Sequence, residues 1–547
     1  MKRRILIAAL ALVLAVGGIA ALNIHTAKEA TPIEMQVVDS IGDASAAQGL
    51  LVDHRIMLGT TMLWYTDYAP ATGESDTDFF VTYRNMQQQT YYSRKDNETD
   101  RTRLTCSAVD AYNMNDPIVK DMWVEAEHDD ESERMEAARR VYPIDYYDTY
   151  PIYLENSWRS GGPSVYYQEE LAFDKLRIPV GKYDFFELSL DFGTGVDGED
   201  VVDSVGTRNW YMQNRFTPYY VNSGDHILVT AGFPADVEPQ ADWAPEGFGL
   251  WDMPVREAKE TVDNGYYVKY LPVTAECRLV YPLDIETQRV ARLEQSIDGK
   301  YILLVTVEEE RFVLHVLDSS DYHLVQRLDI DGAEVRESSD TIFMDSWYYR
   351  DSWSVAFGDY RPVEEDWSGY RIDPPQDDQE STLTCEYREY PTVSMRQGDG
   401  YLVLLLGSSR VALLTPDREG YKGEFLCDAP DYSYVEDKDG TQHRYFLYYD
   451  ERDEVEYYGL WSAIPTVDAD YAMAYNGRYL AAAAYDGNGE LMVSVFGKDG
   501  LQYAAYVRSS LVTQLGHGNY SFSPVGADVI MTEDGIAAPR PGLMWQS

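Results

Sequence analysis

SIDGKYILLVTVEEERFVLHVLD, residues 296–318, joins a tight turn, an apolar run, an acidic turn and a second apolar run. The phrase returns twice in looser spelling. DGKYILLVTVEEERFVLHVLDSSDYHLVQRLDI runs from Asp298 to Ile330, DGYLVLLLGSSRVALLTPDREGYKGEFLC from Asp399 to Cys427, and NGRYLAAAAYDGNGELMVSVFGKDGLQYAAYVRS from Asn476 to Ser509. Each copy enters its first strand through Asp-Gly or Asn-Gly, because a tight primed turn needs positive φ, which Gly tolerates and Asn or Asp permits. The apolar runs are continuous rather than alternating, so these strands are expected to be covered on both faces. A meander of three or four such strands is what a propeller blade supplies when it stacks between its neighbours.

The marker glycines Gly299, Gly400 and Gly477 stand 101 and 77 residues apart, wider than the roughly 40–50 residues of common propeller repeats. Either the blades between them have lost the phrase or long loops interrupt them. DHILVTAGF at 225–233 and LLVDHRIML at 50–58 read as degenerate blade strands, and VGADVIMTEDGIAA at 525–538 as a final hairpin. The expected fold is all-β, a single β-propeller over 48–547 with six to eight blades, seven favoured, the strand near residue 50 completing the last blade. Two all-β domains divided near residue 280 are the alternative. One helix is expected besides the N-terminal one, at DDESERMEAARRVY, 129–142, which opens on acids and closes on Arg139 and Arg140, the order a helix dipole prefers.

SIDGKYILLV resembles the SPDGKYI-type turn and strand of TolB-type and related bacterial extracytoplasmic β-propeller repeats, with Ile297 in place of the usual Pro. The resemblance covers about a fifth of the chain. It implies a propeller with partners bound at the mouth of the central channel, and it transfers no catalytic residue.

The first residues, MKRRILIAALALVLAVGGIAALN, place Lys2, Arg3 and Arg4 before an apolar run from Ile5 to Leu22. As a helix the run spans about 27 Å, against about 30 Å for a bilayer core. Residues 1–22 are therefore read as a signal anchor or a signal peptide, and 23–47 as a flexible stalk. The cations keep the N-terminus inside, leaving the bulk extracytoplasmic on a single-pass anchor, or secreted if the segment is cut. The formal net charge is −48, a field that repels nucleic acid and anionic polymers. Expected partners are the cytoplasmic membrane, through residues 5–22, and an extracytoplasmic protein, peptide or glycan.

No G-x-S-x-G elbow, Walker loop or H-E-x-x-H occurs in the sequence. The cysteines Cys106, Cys277, Cys385 and Cys427 form no CxxC pair; an oxidising compartment allows one or two disulfides, most simply Cys385 with Cys427, and small buried thiols are the other reading. His315 and His323 read as a strand residue and a turn residue, a metal pair being the sharper alternative. The acids Glu125 to Glu133 read as a solvated helix start. No cofactor is expected, and Ca2+ is the ion the acidic loops best suit, at Asp197, Glu199, Asp200 and Asp203 or at Asp437 and Asp439.

The aromatics carry the binding hypothesis. Residues 341–370 hold Trp347, Tyr348, Tyr349, Trp353, Tyr360, Trp367 and Tyr370 among acids and Arg350, and residues 141–158 hold Tyr146, Tyr147, Tyr150, Tyr153 and Trp158. Flat faces beside carboxylates suit sugars and peptides, while the same residues at strand spacing serve inter-blade packing. The candidate ligand-binding set is Trp347, Tyr349, Arg350, Trp353 and Trp367, with no catalytic residue assigned. The expected function is a non-catalytic binding or scaffolding module, with an exported carbohydrate-active enzyme on the same scaffold as the alternative.

Overall fold

The structure is a computed structural model. It describes residues 34–58, 62–81, 101–106, 137–143, 149–150, 152–159, 166–179, 185–194, 200–209, 216–223, 225–262, 265–330, 332–344, 370–373, 381–407, 410–428, 471–485, 491–510 and 542–546, with short strands between 431 and 462 and between 522 and 536. The fold is all-β: antiparallel strands joined by turns, with short 3₁₀ turns at Ala44–Ala47, Ala241–Trp243 and Thr274–Glu276.

The opening phrase forms a four-stranded meander, Arg289–Gln295, Tyr301–Glu308, Arg311–Asp318 and Leu324–Ile330, each strand paired with the next in sequence. Every residue from Tyr301 to Val307 and from Phe312 to Leu317 is buried, so both faces of the two central strands are covered. The entry turn works as its sequence implies. Gly299 sits at φ 70, and the Asp298 carboxylate accepts from Ser296 Oγ at 2.7 Å and from Lys300 N at 3.1 Å. The acidic turn is a two-residue hairpin in which both Glu309 (φ 47) and Glu310 (φ 62) are left-handed, a conformation Asn and Gly adopt at lower cost.

Both echoes fold the same way. Val393–Gly398, Tyr401–Leu406, Arg410–Pro416 and Tyr421–Asp428 form one meander, and Tyr471–Tyr475, Leu480–Tyr485, Leu491–Gly497 and Gly500–Ser509 another. A further sheet holds Thr217–Ser223, His226–Gly232, Phe248–Val262 and Arg278–Leu283, while Gly265–Pro272 pairs with the far half of its long third strand.

By its contacts the chain divides into two compact units, residues 1–97 with 392–547, and residues 98–391. No division falls near residue 280, which lies on Arg278–Leu283, hydrogen-bonded to Phe248–Asp252. In the first unit the strand Leu480–Tyr485 is nearly all alanine. Ala482 and Ala484 pack on Val403, Leu405, Val411 and Leu413, and Ala481 and Ala483 on Leu50, Val52 and Tyr68. Methyl side chains let a sheet on either face approach closely. In the second unit one cluster joins Ile152, Leu154 and Phe173 to Leu228, Leu250 and Trp251, and these to Val290, Leu293, Ile302 and Leu304. Among the described residues, each unit thus has a run of three sheets packed face to face, beside its other sheets.

The termini share this construction. Leu50–Leu58 pairs with Met62–Ala69 on one edge and with Gly542–Trp545 and Phe522–Pro524 on the other, so an N-terminal strand is closed by C-terminal ones. The short hairpin Met531–Thr532 with Gly535–Ile536 falls inside the one expected at 525–538. Met35–Gly42 adds a fifth strand to the outer edge of Gly500–Ser509. Residues 35–47 therefore fold as strand and turn, where the sequence reads as stalk: their main chain satisfies an otherwise open edge. Among the described side chains of that strand Met35 is buried and Ile41 half-buried, while Val37 and Val38 are each 38% exposed. It is held chiefly through main-chain hydrogen bonds, each worth about 1 kcal/mol net, against about 1–2 kcal/mol for fixing one residue's backbone.

Other expectations are corrected or fall outside the described residues. Ala137–Pro143, the second half of the expected helix, is a strand paired with Phe185–Thr194; that pairing, with Val141 and Tyr142 favouring extended backbone, overrides a weak helical propensity. Of the two readings of the cysteines, the buried thiol holds for Cys427: Cys277 and Cys427 are free, and Cys385 lies on Ser381–Glu389, in a different sheet from Cys427, so no bridge joins them. Residues 1–33 are outside the described set, and among the described residues no helix is long and apolar enough to cross a membrane.

Replacing Glu309 and Glu310 by Asn and Gly is expected to raise stability by about 1–2 kcal/mol in equilibrium denaturation, by removing two left-handed side chains. His54 is fully buried, and burial lowers its pKa to about 4. Because the folded value lies below the ordinary value of about 6.5, its contribution is complete above pH 6.5 and is lost as pH falls toward 4, an acid destabilisation of about 3 kcal/mol. His54→Leu should flatten that limb in urea titrations between pH 7 and 4.

Candidate functional site

The described polar side chains converge where the sheet containing Phe248–Val262 packs on the sheet of the opening phrase, in two clusters. The first centres on Asp252. Its strand neighbours Trp251 and Met253 are buried, and Asp252 itself is 0% exposed, so its charge must be met inside the protein. Register places Arg278 directly across the sheet from it. Arg278 donates through Nη2 at 2.9 Å and Nε at 3.1 Å to one carboxylate oxygen. The other oxygen lies 2.7 Å from His226 Nδ1 and accepts from the Tyr322 hydroxyl at 3.4 Å. Tyr322 comes from the neighbouring sheet, at the turn between Arg311–Asp318 and Leu324–Ile330, and is held left-handed at φ 62. Its side chain reaches across the seam to the acid, and burial pushes its hydroxyl up to about 12, the Asp252 charge adding to the shift.

The second cluster centres on His315, 1% exposed on its strand. Its Nε2 lies 3.0 Å from Glu308 Oε1 and 2.9 Å from Thr306 Oγ1, and its Nδ1 lies 3.0 Å from the Tyr281 hydroxyl. An ionised carboxylate only accepts, so the ring carries its proton on Nε2, and Nδ1 accepts from Tyr281. Tyr281 belongs to Arg278–Leu283, and this contact again crosses between sheets. Glu308 also accepts from Gln288 Nε2 at 2.9 Å, Thr306 Oγ1 at 2.8 Å and Arg327 Nη2 at 2.8 Å. Burial alone would raise its carboxyl, but Arg327, Thr306, Gln288 and His315 outweigh that and hold it at about 2. Burial lowers His315 although Glu308 opposes the shift, and burial with the Glu308 charge raises Tyr281.

A hydroxyl, an imidazole and a carboxylate in series have the form of a proton relay, but their pKa values run away from neutrality. The same holds for the thiols of Cys277 and Cys427, each pushed up to about 12 by burial. Both clusters act as polar clasps between sheets. Among the described histidines, His226 combines a buried carboxylate on Nδ1 with a side chain one-third exposed, its Nε2 lying 3.7 Å from Asp225 Oδ1.

His315 and His323 do not pair on a metal: both His315 nitrogens are engaged within the seam. His323 instead groups with Asp318 and Asp321, their candidate ligand atoms within 4.8 Å of one another. His323 Nδ1 lies 2.5 Å from Asp321 Oδ1, and this bond holds the Asp321 carboxyl low; the Ser320 hydroxyl and amide do the same for Asp318. Trp347, Tyr349, Arg350, Trp353 and Trp367 lie outside the described residues, as do Glu125–Glu133, Asp197, Glu199, Asp437 and Asp439. Asp200 and Asp203 are on the strand Asp200–Asn209. Tyr150, from the second aromatic group, is 2% exposed and packs in the core. Asp252 escaped the sequence reading, although a lone acid inside GLWDMPV, an otherwise apolar run, was its signal.

No family model matches the chain, and no curated protein matches it. Solved structures to which it is similar include a putative 6-phosphogluconolactonase from Bacteroides fragilis (10% identity, 70% of this chain and 99% of that one, TM-score 0.20). They also include TolB from Acinetobacter baumannii (10%, 85% and 84%, TM-score 0.15) and the periplasmic gluconolactonase of Pseudomonas aeruginosa (12%, 84% and 96%, TM-score 0.20). None of them transfers a residue or an activity to this chain.

The depressed Glu308 carboxyl contributes stability that is complete above its ordinary value of about 4.5 and is lost as pH falls toward 2. Glu308→Gln is expected to cost about 1–2 kcal/mol at pH 7, after allowance for solvent screening, and to cost nothing below pH 2. Urea midpoints across that range measure the difference.

Proposed function

We propose that the chain is an exported, degenerate β-propeller repeat protein, with six to eight blades and seven favoured, that serves as a non-catalytic binding or scaffolding module outside the cytoplasmic membrane. It is held there as a single-pass protein through residues 5–22, or is secreted. The observation that carries this reading is the seam between the 217–283 and 289–330 strands: the buried polar groups that converge there hold one sheet to the next. Two of them, Tyr322 and Glu308, are held in forms that neither donate nor accept protons near pH 7. Such a scaffold presents rigid sheets and leaves recognition to its loops. The partner is a protein, peptide or glycan, met by Trp347, Tyr349, Arg350, Trp353 and Trp367 in the 341–370 insertion.

One observation favours the alternative of a carbohydrate-active enzyme: His226, oriented by buried Asp252 and partly open to solvent, has the form of a general base. The two readings separate on variants of the full chain. Trp347→Ala, Trp353→Ala and Trp367→Ala together should weaken binding of glycan or peptide ligands found by array screening at least tenfold, with the β-sheet circular dichroism unchanged. Glycan hydrolysis by the parent protein that disappears in His226→Ala, with the fold intact, would overturn the binding-module reading in favour of the enzyme.

A further inference from the structure

The polar clusters are spent within the seam, and the Asp318, Asp321 and His323 group is an exposed turn closed on itself; the outer edge of the 471–509 sheet offers more. There Gly500–Ser509, with Tyr503 to Val507 buried, is the fourth strand, and its free edge is covered by Met35–Gly42. Pairing runs from Met35 opposite Ser509 to Gly42 opposite Tyr503, interrupted by a bulge between Val37 and Asp39. The added strand contributes one buried described side chain, Met35, and leaves Val37 and Val38 exposed. Its neighbour in sequence is anchored in a different manner, with Leu50, Val52 and His54 all buried. Between the two, Gly42 (φ 81) and Gly49 (φ 83) bracket the Ala44–Ala47 turn, giving the segment before Gly42 its own main-chain pivots; Met35 is its buried contact with the cluster that holds Leu50 and Val52. A strand fastened mainly by its main chain occupies the low end of local stability, and the edge it covers accepts any extended chain of matching register.

Resting on the binding-module reading and giving it a second, separate site, we propose that Met35–Gly42 is an exchangeable strap, and that the edge of Gly500–Ser509 beneath it docks an extended cationic segment of a partner protein as an added antiparallel strand. The docked segment places an apolar side chain opposite Ser509, where Met35 now sits. Its side chains at the positions of Gln36, Val37 and Val38 are exposed, and the one at the position of Ile41 is half-buried. Cationic character follows from charge: a chain of net charge −48 attracts and accelerates a positive partner and repels a second copy of itself.

The test uses the full chain carrying Gln36→Cys and Arg508→Cys, a directly opposed pair at a separation a disulfide spans. The probe is a fluorescein-labelled peptide of residues 34–43 bearing Glu34→Lys, Val38→Lys and Ser40→Lys, which leaves position 36, opposite Arg508, uncharged. Anisotropy is expected to show binding to the reduced protein and at least tenfold weaker binding once the strap is oxidised shut, with the single Gln36→Cys chain insensitive to oxidation. Met35→Asp in the peptide should weaken binding at least tenfold. In the parent chain, hydrogen exchange over 35–42 should run at least 100-fold faster than over 491–497. Equal binding in the two redox states, or binding in neither, overturns the proposal. Loss of peptide binding in the triple tryptophan variant would place the peptide elsewhere and overturn it as well. A concentration-dependent dimer that oxidation abolishes would make a second copy the occupant, overturning the partner assignment. Failure of the strap leaves the binding-module reading standing, because that reading is decided at the tryptophans and at His226.

Discussion

Strands that are apolar on both faces have no face to give to water, and this requirement shapes the rest of the molecule. A sheet whose central strands read YILLVTV and RFVLHVL must be covered twice. A neighbour that is itself apolar on both faces passes the demand along. The alanine strand Leu480–Tyr485 has packed sheets on both of its faces, and so does the sheet bearing Leu228 and Leu250. Succession of sheets follows from burial, and the apolar contacts between them supply most of the cohesion, at about 25 cal/mol for each Å² removed from water.

Apolar packing of that kind specifies distance better than it specifies position, and here polar groups supply what it lacks. Asp252 and Tyr322, and Glu308, His315 and Tyr281, meet at one seam with directional bonds that a sheet displaced by one residue could not form. A buried acid supported by an arginine adds little net stability. Its value lies in the position it dictates. The left-handed backbone at Tyr322 fits that role, since strain at a turn is tolerated where it delivers a hydroxyl across the seam.

What was legible in the sequence was what repeats or what lies within one strand. The Asp-Gly entry at 298–299 and the unbroken apolar runs foretold a turn and a doubly covered strand, because both depend on neighbours in the chain. The seam was not legible in the same way. Asp252 lies 26 residues from both His226 and Arg278, and 70 from Tyr322. Those distances close only when register is set by tertiary pairing. The misreadings share that cause. Arg139 and Arg140 suit a helix end until the strand beside them offers its edge, and the choice between bridge and buried thiol at Cys427 is made only when the sheets place Cys385 in another. The polar, aperiodic spelling of 35–47 hid a strand because its side chains contribute so little to holding it.

The way in which the chain's first strands are attached has a mechanical consequence. Glu34 enters at the end of the sheet where its amide and carbonyl meet Ser510, so tension arriving from the N-terminal side reaches Met35–Gly42 first, a strand held on its pairing with Gly500–Ser509. Leu50–Leu58, paired along both edges, is loaded only after that strand has parted. Slack is therefore released in a small first step before the folded body is stressed. A chain tethered by its N-terminus would carry its own shock absorber, set by how little the first strand buries.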